Sequence, residues 1–228
     1  MVRRLLIGTS GYSYDDWVGP VYPPGTGRGD FLQLYAQRFR FTELNFPYYR
    51  MPRPGQLASM RDNVPSSFEF VVKATSEITH KRSSAWRTDA AELCDRVGEL
   101  GGAFAGLLLQ FPFSFHYTSE NRRHLANAAD ALPRPLFVEF RNAEWDRESV
   151  YREMERRSLA LVLTDMPRLP GLPQSVPRLT ADVGYLRLHG RNRDQWWDGT
   201  AVTRYDYLYD ESELHGWAES VHQLSAAA

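Results

Sequence analysis

Phe104-Ala105-Gly106-Leu107-Leu108-Leu109-Gln110 is apolar almost without interruption and ends on an amide. Continuous apolar character, in place of alternation, marks a strand buried on both faces, and such strands belong to parallel sheets covered by helices. Six further short runs rich in β-branched or aromatic residues flank it, at residues 5–8, 41–45, 68–73, 136–140, 160–164 and 184–189. Segments of helical period lie between them. Phe31, Leu34, Tyr35, Arg38 and Phe39 follow Asp30, which is placed to act as an N-cap, and Ala90, Leu93, Cys94, Val97 and Leu100 repeat the pattern. Helices are also expected around residues 121–131, 147–157 and 211–224, the last with Leu214, Trp217, Val221 and Leu224 on one face. This alternation predicts parallel βα units. A doubly wound nucleotide-binding sheet would carry a glycine-rich turn after its first strand, and Gly8-Thr9-Ser10-Gly11 does not match G-x-G-x-x-G. The expected fold class is therefore α/β, a TIM-like β/α barrel with seven identifiable strands, formed by residues 1–228 as one domain. The Pro-rich tracts at residues 20–24 and 167–177 read as loops.

The chain has 228 residues and a formal net charge of −1, which gives no general attraction to nucleic acid or an anionic membrane. No stretch approaches the roughly 20 apolar residues that cross a bilayer. The apolar run after Arg3-Arg4 is shorter than the ~7–15-residue core of a signal peptide. The single cysteine, Cys94, excludes an intramolecular disulfide, and its place on an apolar helix face suits an inert core residue. A cytoplasmic location is the expectation. Only Lys73 and Lys81 of the 27 basic residues are lysines, so a lysine at a strand end is chemically suggestive.

In a barrel the residues just past each strand meet around one mouth. Here they are strongly polar: Ser10 and Tyr12 after the first run, Glu43, Asn45, Tyr48 and Tyr49 after the second, Lys73, Thr79 and His80 after the third. Gln110 ends the fourth, Glu139 and Arg141 the fifth, Asp165 the sixth, and Arg187, His189 and Arg191 the seventh.

These residues also carry a resemblance. Ile7-Gly8-Thr9-Ser10-Gly11-Tyr12, Glu43-Leu44-Asn45 with Tyr48-Tyr49, Phe70-Val71-Val72-Lys73 with Ile78-Thr79-His80, and Leu109-Gln110-Phe111-Pro112 are its first pieces. Val138-Glu139-Phe140-Arg141 with Trp145, Thr164-Asp165, and Arg187-Leu188-His189-Gly190-Arg191 complete it. The chain resembles the YecE-like family, also called domain of unknown function 72. The resemblance implies a TIM-like barrel and brings no established activity. Members of that family usually continue past the helix at residues 211–224 into an eighth strand and a closing helix. This sequence ends at Ser225-Ala226-Ala227-Ala228, so the expectation is that the C-terminal strand–helix unit is absent and that strands one and seven offer exposed edges for self-association.

The residues support an enzyme that binds a small anionic or phosphorylated substrate. Glu43, Lys73, Glu139 and Asp165 are its catalytic candidates, as in an acid–base hydrolase or isomerase. Ser10, Tyr12, Asn45, Tyr49, His80, Gln110, Arg141, Arg187, His189 and Arg191 are the candidate binding groups. Lys73 held between carboxylates would stay protonated and serve charge balance instead of Schiff-base chemistry. Aromatics that include Trp196 and Trp197 could stack on a ligand, whereas Trp17, Trp86 and Trp145 fit packing roles. No cofactor is expected. A divalent metal on Glu43, His80, Glu139, Asp165 and His189 is the weaker alternative, because no H-x-H or H-E-x-x-H spacing supports it. A non-catalytic module that holds a small anionic molecule, and a metal-dependent hydrolase or nuclease, are the other readings.

Overall fold

The computed structural model describes residues 4–174 and 176–227. Two compact units make up the chain, Met1–Leu109 with Asp130–Arg134, and Gln110–Ala129 with Pro135–Ala228.

In the first unit, strands β1 (Gly8–Ser10), β2 (Phe41–Leu44), β3 (Glu69–Lys73) and β4 (Phe104–Phe111) pair in parallel and in sequence order. Phe70, Val72, Leu107, Leu108 and Leu109 are fully buried, as the unbroken apolar run requires. Gly8 stands where a Cβ would come 2.1 Å from the Phe41 carbonyl oxygen, so only glycine lets β1 lie this close to β2. The buried Tyr35 hydroxyl ties the same two strands together, accepting from Thr9 N at 2.7 Å and donating to Phe41 O at 3.0 Å.

Tyr35 comes from helix α1 (Phe31–Ala36), whose buried face is Phe31, Leu32, Tyr35 and Ala36. Asp30 does not cap this helix with its side chain. The 3-10 turn Arg28–Asp30 runs directly into α1, so Asp30 is already helical and lacks the extended backbone of a capping residue. Short helices α2 (Phe46–Tyr49) and α3 (Gln56–Asp62) precede β3, and α4 (Trp86–Gly98) precedes β4. The N-terminus of α3 is closed from a distance. The Glu99 carboxylate accepts from Gly55 N at 2.9 Å, Leu57 N at 3.2 Å and Ala58 N at 3.4 Å. Glu99→Ala should therefore cost about 1–2 kcal/mol, the usual price of a lost helix cap. Urea unfolding will check this, and a change under a few tenths would mean that water replaces the carboxylate. Cys94 is only half-buried on α4, where burial pushes its thiol pKa up.

In the second unit, α5 (Ser119–Ala131) leads to β5 (Leu136–Phe140), all five residues of which are buried. Helix α6 (Glu148–Arg156) follows. The sixth apolar run forms two strands interrupted at Val162. β6 (Ala160–Leu161) pairs with β5, and β7 (Leu163–Asp165) pairs with β8 (Leu186–Leu188), each in parallel. Val162 itself still donates to Val138 O of β5 at 2.9 Å, while Thr180 occupies the other edge of β6. Its hydroxyl accepts from Leu161 N at 2.8 Å and donates to Leu159 O at 2.6 Å, taking the bonds that a neighbouring strand would otherwise make.

The strands follow the sequence in sheet order, β1 to β6, and β7 with β8 makes a two-stranded sheet. Six of the seven expected runs hold strands, and the first, residues 5–8, meets β1 only at its last residue, Gly8. Among the described residues they do not close into a complete barrel, and the architecture stands as α/β with a mostly parallel six-stranded sheet. A short helix α7 (Ala201–Arg204) and the long α8 (Glu211–Ala227) end the described chain. No described residue of α8 is fully buried; of the apolar stripe read from sequence, Trp217, Val221 and Leu224 are partly buried and Leu214 is 45% exposed. No described helix is long and apolar enough to cross a membrane.

Candidate functional site

At the strand ends of the first unit, Glu43 is 1% exposed and accepts from the Ser10 hydroxyl at 2.7 Å. Asn45 donates to the same hydroxyl oxygen at 2.8 Å. The parallel register sets Ser10 beside Glu43 and so positions the pair. Tyr14 donates to the Ser10 carbonyl. Burial and then the Glu43 charge raise its phenol pKa. Burial likewise raises that of Tyr12.

Lys73 closes β3 with its ammonium 4.5 Å from the centre of the Tyr48 ring, a cation–π contact. Tyr48 packs edge-on against His80 at 4.8 Å and against Tyr49 at 4.9 Å. His80 Nδ1 meets the Thr79 hydroxyl at 2.9 Å within the π-turn Glu77–Lys81. Tyr49 is 82% exposed.

The strand ends of the second unit carry a denser charge cluster. Glu139, with no solvent exposure, meets Arg141 Nε through Oε1 and Arg187 Nη1 through Oε2 at 2.5 Å. His189 Nε2 lies 3.3 Å from Oε1. Burial disfavours the charged form of Glu139, but Arg141, Arg187 and His189 together outweigh it and hold the carboxyl well below the usual range. Burial, with Arg141 and Arg187 acting in the same direction, lowers the His189 pKa to about 4 against the pull of Glu139. His189 is therefore neutral at pH 7. The tautomer that satisfies both neighbours donates from Nε2 to Glu139 and leaves Nδ1 to accept from Arg141.

Arg191 forms a separate clasp. Its Nε reaches both Asp165 oxygens, at 3.1 and 2.8 Å, and its Nη1 reaches Glu213 Oε1 at 2.7 Å. Tyr207 donates to Glu213 at 2.6 Å, and the Tyr209 hydroxyl accepts from Gly190 N at 2.8 Å. Burial and a bond to Asp165 raise the Tyr209 pKa. Glu213 also closes a capping box with Asp210 at the start of α8, accepting from Asp210 N at 3.0 Å while its own N–H donates to Asp210 Oδ1 at 2.8 Å. The Asp210-x-x-Glu213 spacing makes that box readable from sequence, whereas the link from Glu213 to Arg191 has no local signal.

Gln110 is buried and turns its amide onto the Phe111 carbonyl at 3.0 Å. The structure thus brings Ser10, Glu43 and Asn45 together, joins Lys73 to His80 through Tyr48, gathers Glu139, Arg141, Arg187 and His189, and pairs Asp165 with Arg191. Among the described residues, no three His, Cys, Asp or Glu side chains come together as metal ligands.

Parallel βα units with buried carboxylates clasped by guanidinium groups at their strand ends define an α/β protein with a polar strand-end site. The profile described as "Protein of unknown function DUF72" matches residues 6–228, and the chain belongs to that family. It is 28% identical to the UPF0759 protein YunF of Bacillus subtilis (strain 168) over 239 residues, covering 96% of this chain and 84% of that protein. A DUF72 family protein of Thermotoga maritima MSB8 superposes with a TM-score of 0.86 at 35% identity, covering 97% of this chain and 87% of that one. A second, from Enterococcus faecalis V583, superposes at 0.83 with 24% identity over 96% and 84% of the two chains, a likeness of fold.

Proposed function

We propose that the chain binds a small oxyanion at the strand ends of its second unit, held by Arg141, with Glu139 positioning Arg141 and Arg187. The observation that carries this reading is the set of partners around Arg141. Its Nε bonds to Glu139, its Nη1 faces only the Met166 sulfur at 3.7 Å, and its Nη2 faces a neutral imidazole at 3.2–3.4 Å. Thioether and imidazole are weak partners for a cation. One N–H on each terminal nitrogen is left with no protein acceptor among the described residues, on a side chain that is 13% exposed. A planar fork of this kind gains most from phosphate or carboxylate.

Anion binding is better supported than acid–base turnover at Glu139, because a carboxyl held well below its usual pKa is a weak base and a poor proton donor near neutral pH. Turnover keeps one specific support, the buried Ser10–Glu43 pair, which would make Glu43 the proton-transferring group of a hydrolase or isomerase. A TIM-like arrangement of these βα units, without the further C-terminal strand–helix unit, belongs to the same proposal, supported by the sequential strand order and the recurrent parallel βα units.

Calorimetric titration with inorganic phosphate tests the binding reading. Arg141→Gln should weaken affinity at least about tenfold, the lower end for a charge-assisted bond. Equal affinity in wild type and variant would sink it. Glu43→Gln should leave phosphate binding intact, and any turnover that survives this substitution counts against Glu43 as the acid–base group.

A further inference from the structure

The segment that follows β8 returns twice to the Arg141 cluster. Trp196, buried with Met166 and Leu172, sets its ring 5.7 Å from the Arg141 guanidinium carbon, and Tyr205 sets its ring 6.1 Å from that of His189. The two rings also meet each other edge-on, with centroids 6.2 Å apart and planes at 89°. These separations lie within the range of aromatic contact. His189 in turn lies 3.2–3.4 Å from Arg141 Nη2. Tyr205 therefore packs against both of the rings that flank this guanidinium.

Local structure holds Tyr205 in that place. Gly190 has φ at +81°, and a Cβ there would come 2.7 Å from Tyr207 Cβ and 3.7 Å from the Tyr205 carbonyl oxygen, so a glycine lets residues 205–207 lie against the chain just past His189. Asn192 Nδ2 donates to carbonyls on either side of Tyr205, that of Thr203 at 2.9 Å and that of Asp206 at 3.3 Å. The capping box of Thr200 and Thr203 fixes α7, whose C-cap is Tyr205. The other hydroxyls of the segment are engaged: Thr200 and Thr203 with each other and the backbone, Tyr207 with Glu213, Tyr209 with Gly190 N. Tyr205, 44% exposed, has no hydrogen-bond partner for its phenol among the described residues. Water alone would satisfy a half-exposed hydroxyl. Fixed against the rings around a guanidinium with unused N–H groups, it is also a further, neutral donor for the same ligand.

We infer that Tyr205 donates its phenol to the anion held by Arg141, so that the site selects tetrahedral oxyanions such as phosphate over monocarboxylates. The inference rests on the oxyanion reading above. Arg141 turns one N–H from each terminal nitrogen to the ligand, and that fork takes up two oxygens. A monocarboxylate has no others. A tetrahedral anion keeps further oxygens, and one of these is the acceptor for Tyr205.

Calorimetric titration of the full chain and of Tyr205→Phe with inorganic phosphate and with acetate tests the assignment. The substitution keeps the ring against His189 and Trp196 and removes only the hydroxyl, and circular dichroism checks that the variant is folded. Phosphate should bind the variant about tenfold more weakly, the lower end for a hydrogen bond to a charged group. Acetate should be weaker than phosphate on wild type and equally weak on both proteins. Following each ligand from one protein to the other removes the difference in ligand charge. Equal phosphate affinity in wild type and Tyr205→Phe overturns the role of Tyr205, while the oxyanion reading stands on the loss at Arg141→Gln. A variant that loses phosphate and acetate alike overturns it too, because the hydroxyl would then shape the site without choosing its ligand. Binding of neither ligand to wild type overturns both readings.

Discussion

Replacing Glu139 with alanine is expected to lower the unfolding free energy by about 3–5 kcal/mol, the range found when one partner of a buried ion pair is removed. Arg141 and Arg187 are 13% and 11% exposed, and both bond to this one fully buried carboxylate. Without it, two guanidinium groups would face each other in a low-dielectric setting beside a neutral imidazole. Such a loss is a large part of the roughly 5–15 kcal/mol that a folded domain has. Removing the charges together should be milder than removing the carboxylate alone, because apolar side chains of similar volume leave no charge unpaired. The triple replacement Glu139→Leu, Arg141→Met, Arg187→Met is therefore expected to be more stable than Glu139→Ala. Chemical denaturation of the three proteins decides the matter. A Glu139→Ala loss below about 1 kcal/mol, the scale of an exposed ion pair, would mean that the arginines swing out to water.

Half of this cluster is legible in the sequence. Glu139 and Arg141 are two residues apart at the end of one strand, and alternate residues of a strand share a face, so their meeting follows from the Val138-Glu139-Phe140-Arg141 run alone. Arg187 lies on, and His189 just after, a strand that begins 47 residues after Glu139, and nothing local announces which carboxylate they reach. The same distinction runs through the fold. The unbroken Gly106–Leu109 stretch marks a doubly covered strand because burial on two faces leaves no room for alternation, and β4 forms there. That Thr180, a hydroxyl far along the chain, fills the edge of β6 beside Leu159 and Leu161 is invisible in residues 160–164. Leu214, Trp217, Val221 and Leu224 announce an apolar face on α8, but a period of 3.6 says only that a face exists, not how completely it is covered, and Leu214 stays exposed while the other three are partly buried.

Lowering the pH from about 6.5 to about 4 should cost the protein about 3 kcal/mol through His189 alone, at about 1.36 kcal/mol for each pKa unit. The sign follows from where the proton binds. An unfolded histidine takes up a proton near its ordinary value of 6.5, whereas His189 in the folded chain resists protonation until about 4. Between those values the unfolded state holds a proton that the native state does not, so stability falls as acid is added and the loss is complete near pH 4. Glu139 adds to this at the acid end. Its folded pKa lies well below 4.5, so the stability it contributes is present above about 4.5 and is lost as pH falls through the folded value. His189→Gln, which keeps an amide able to donate to Glu139, should remove most of the slope between pH 6.5 and 4.5 while leaving the steeper fall below it. Urea unfolding of both proteins at pH 7, 5.5 and 4.5 measures the difference. The outcome bears directly on the cluster's charge. Had His189 been an imidazolium locked to Glu139, its folded pKa would lie above 6.5 and its contribution would be fully present in acid and lost as pH rose. Parallel curves, or a variant that loses more stability in acid than the wild type, would therefore overturn the neutral imidazole.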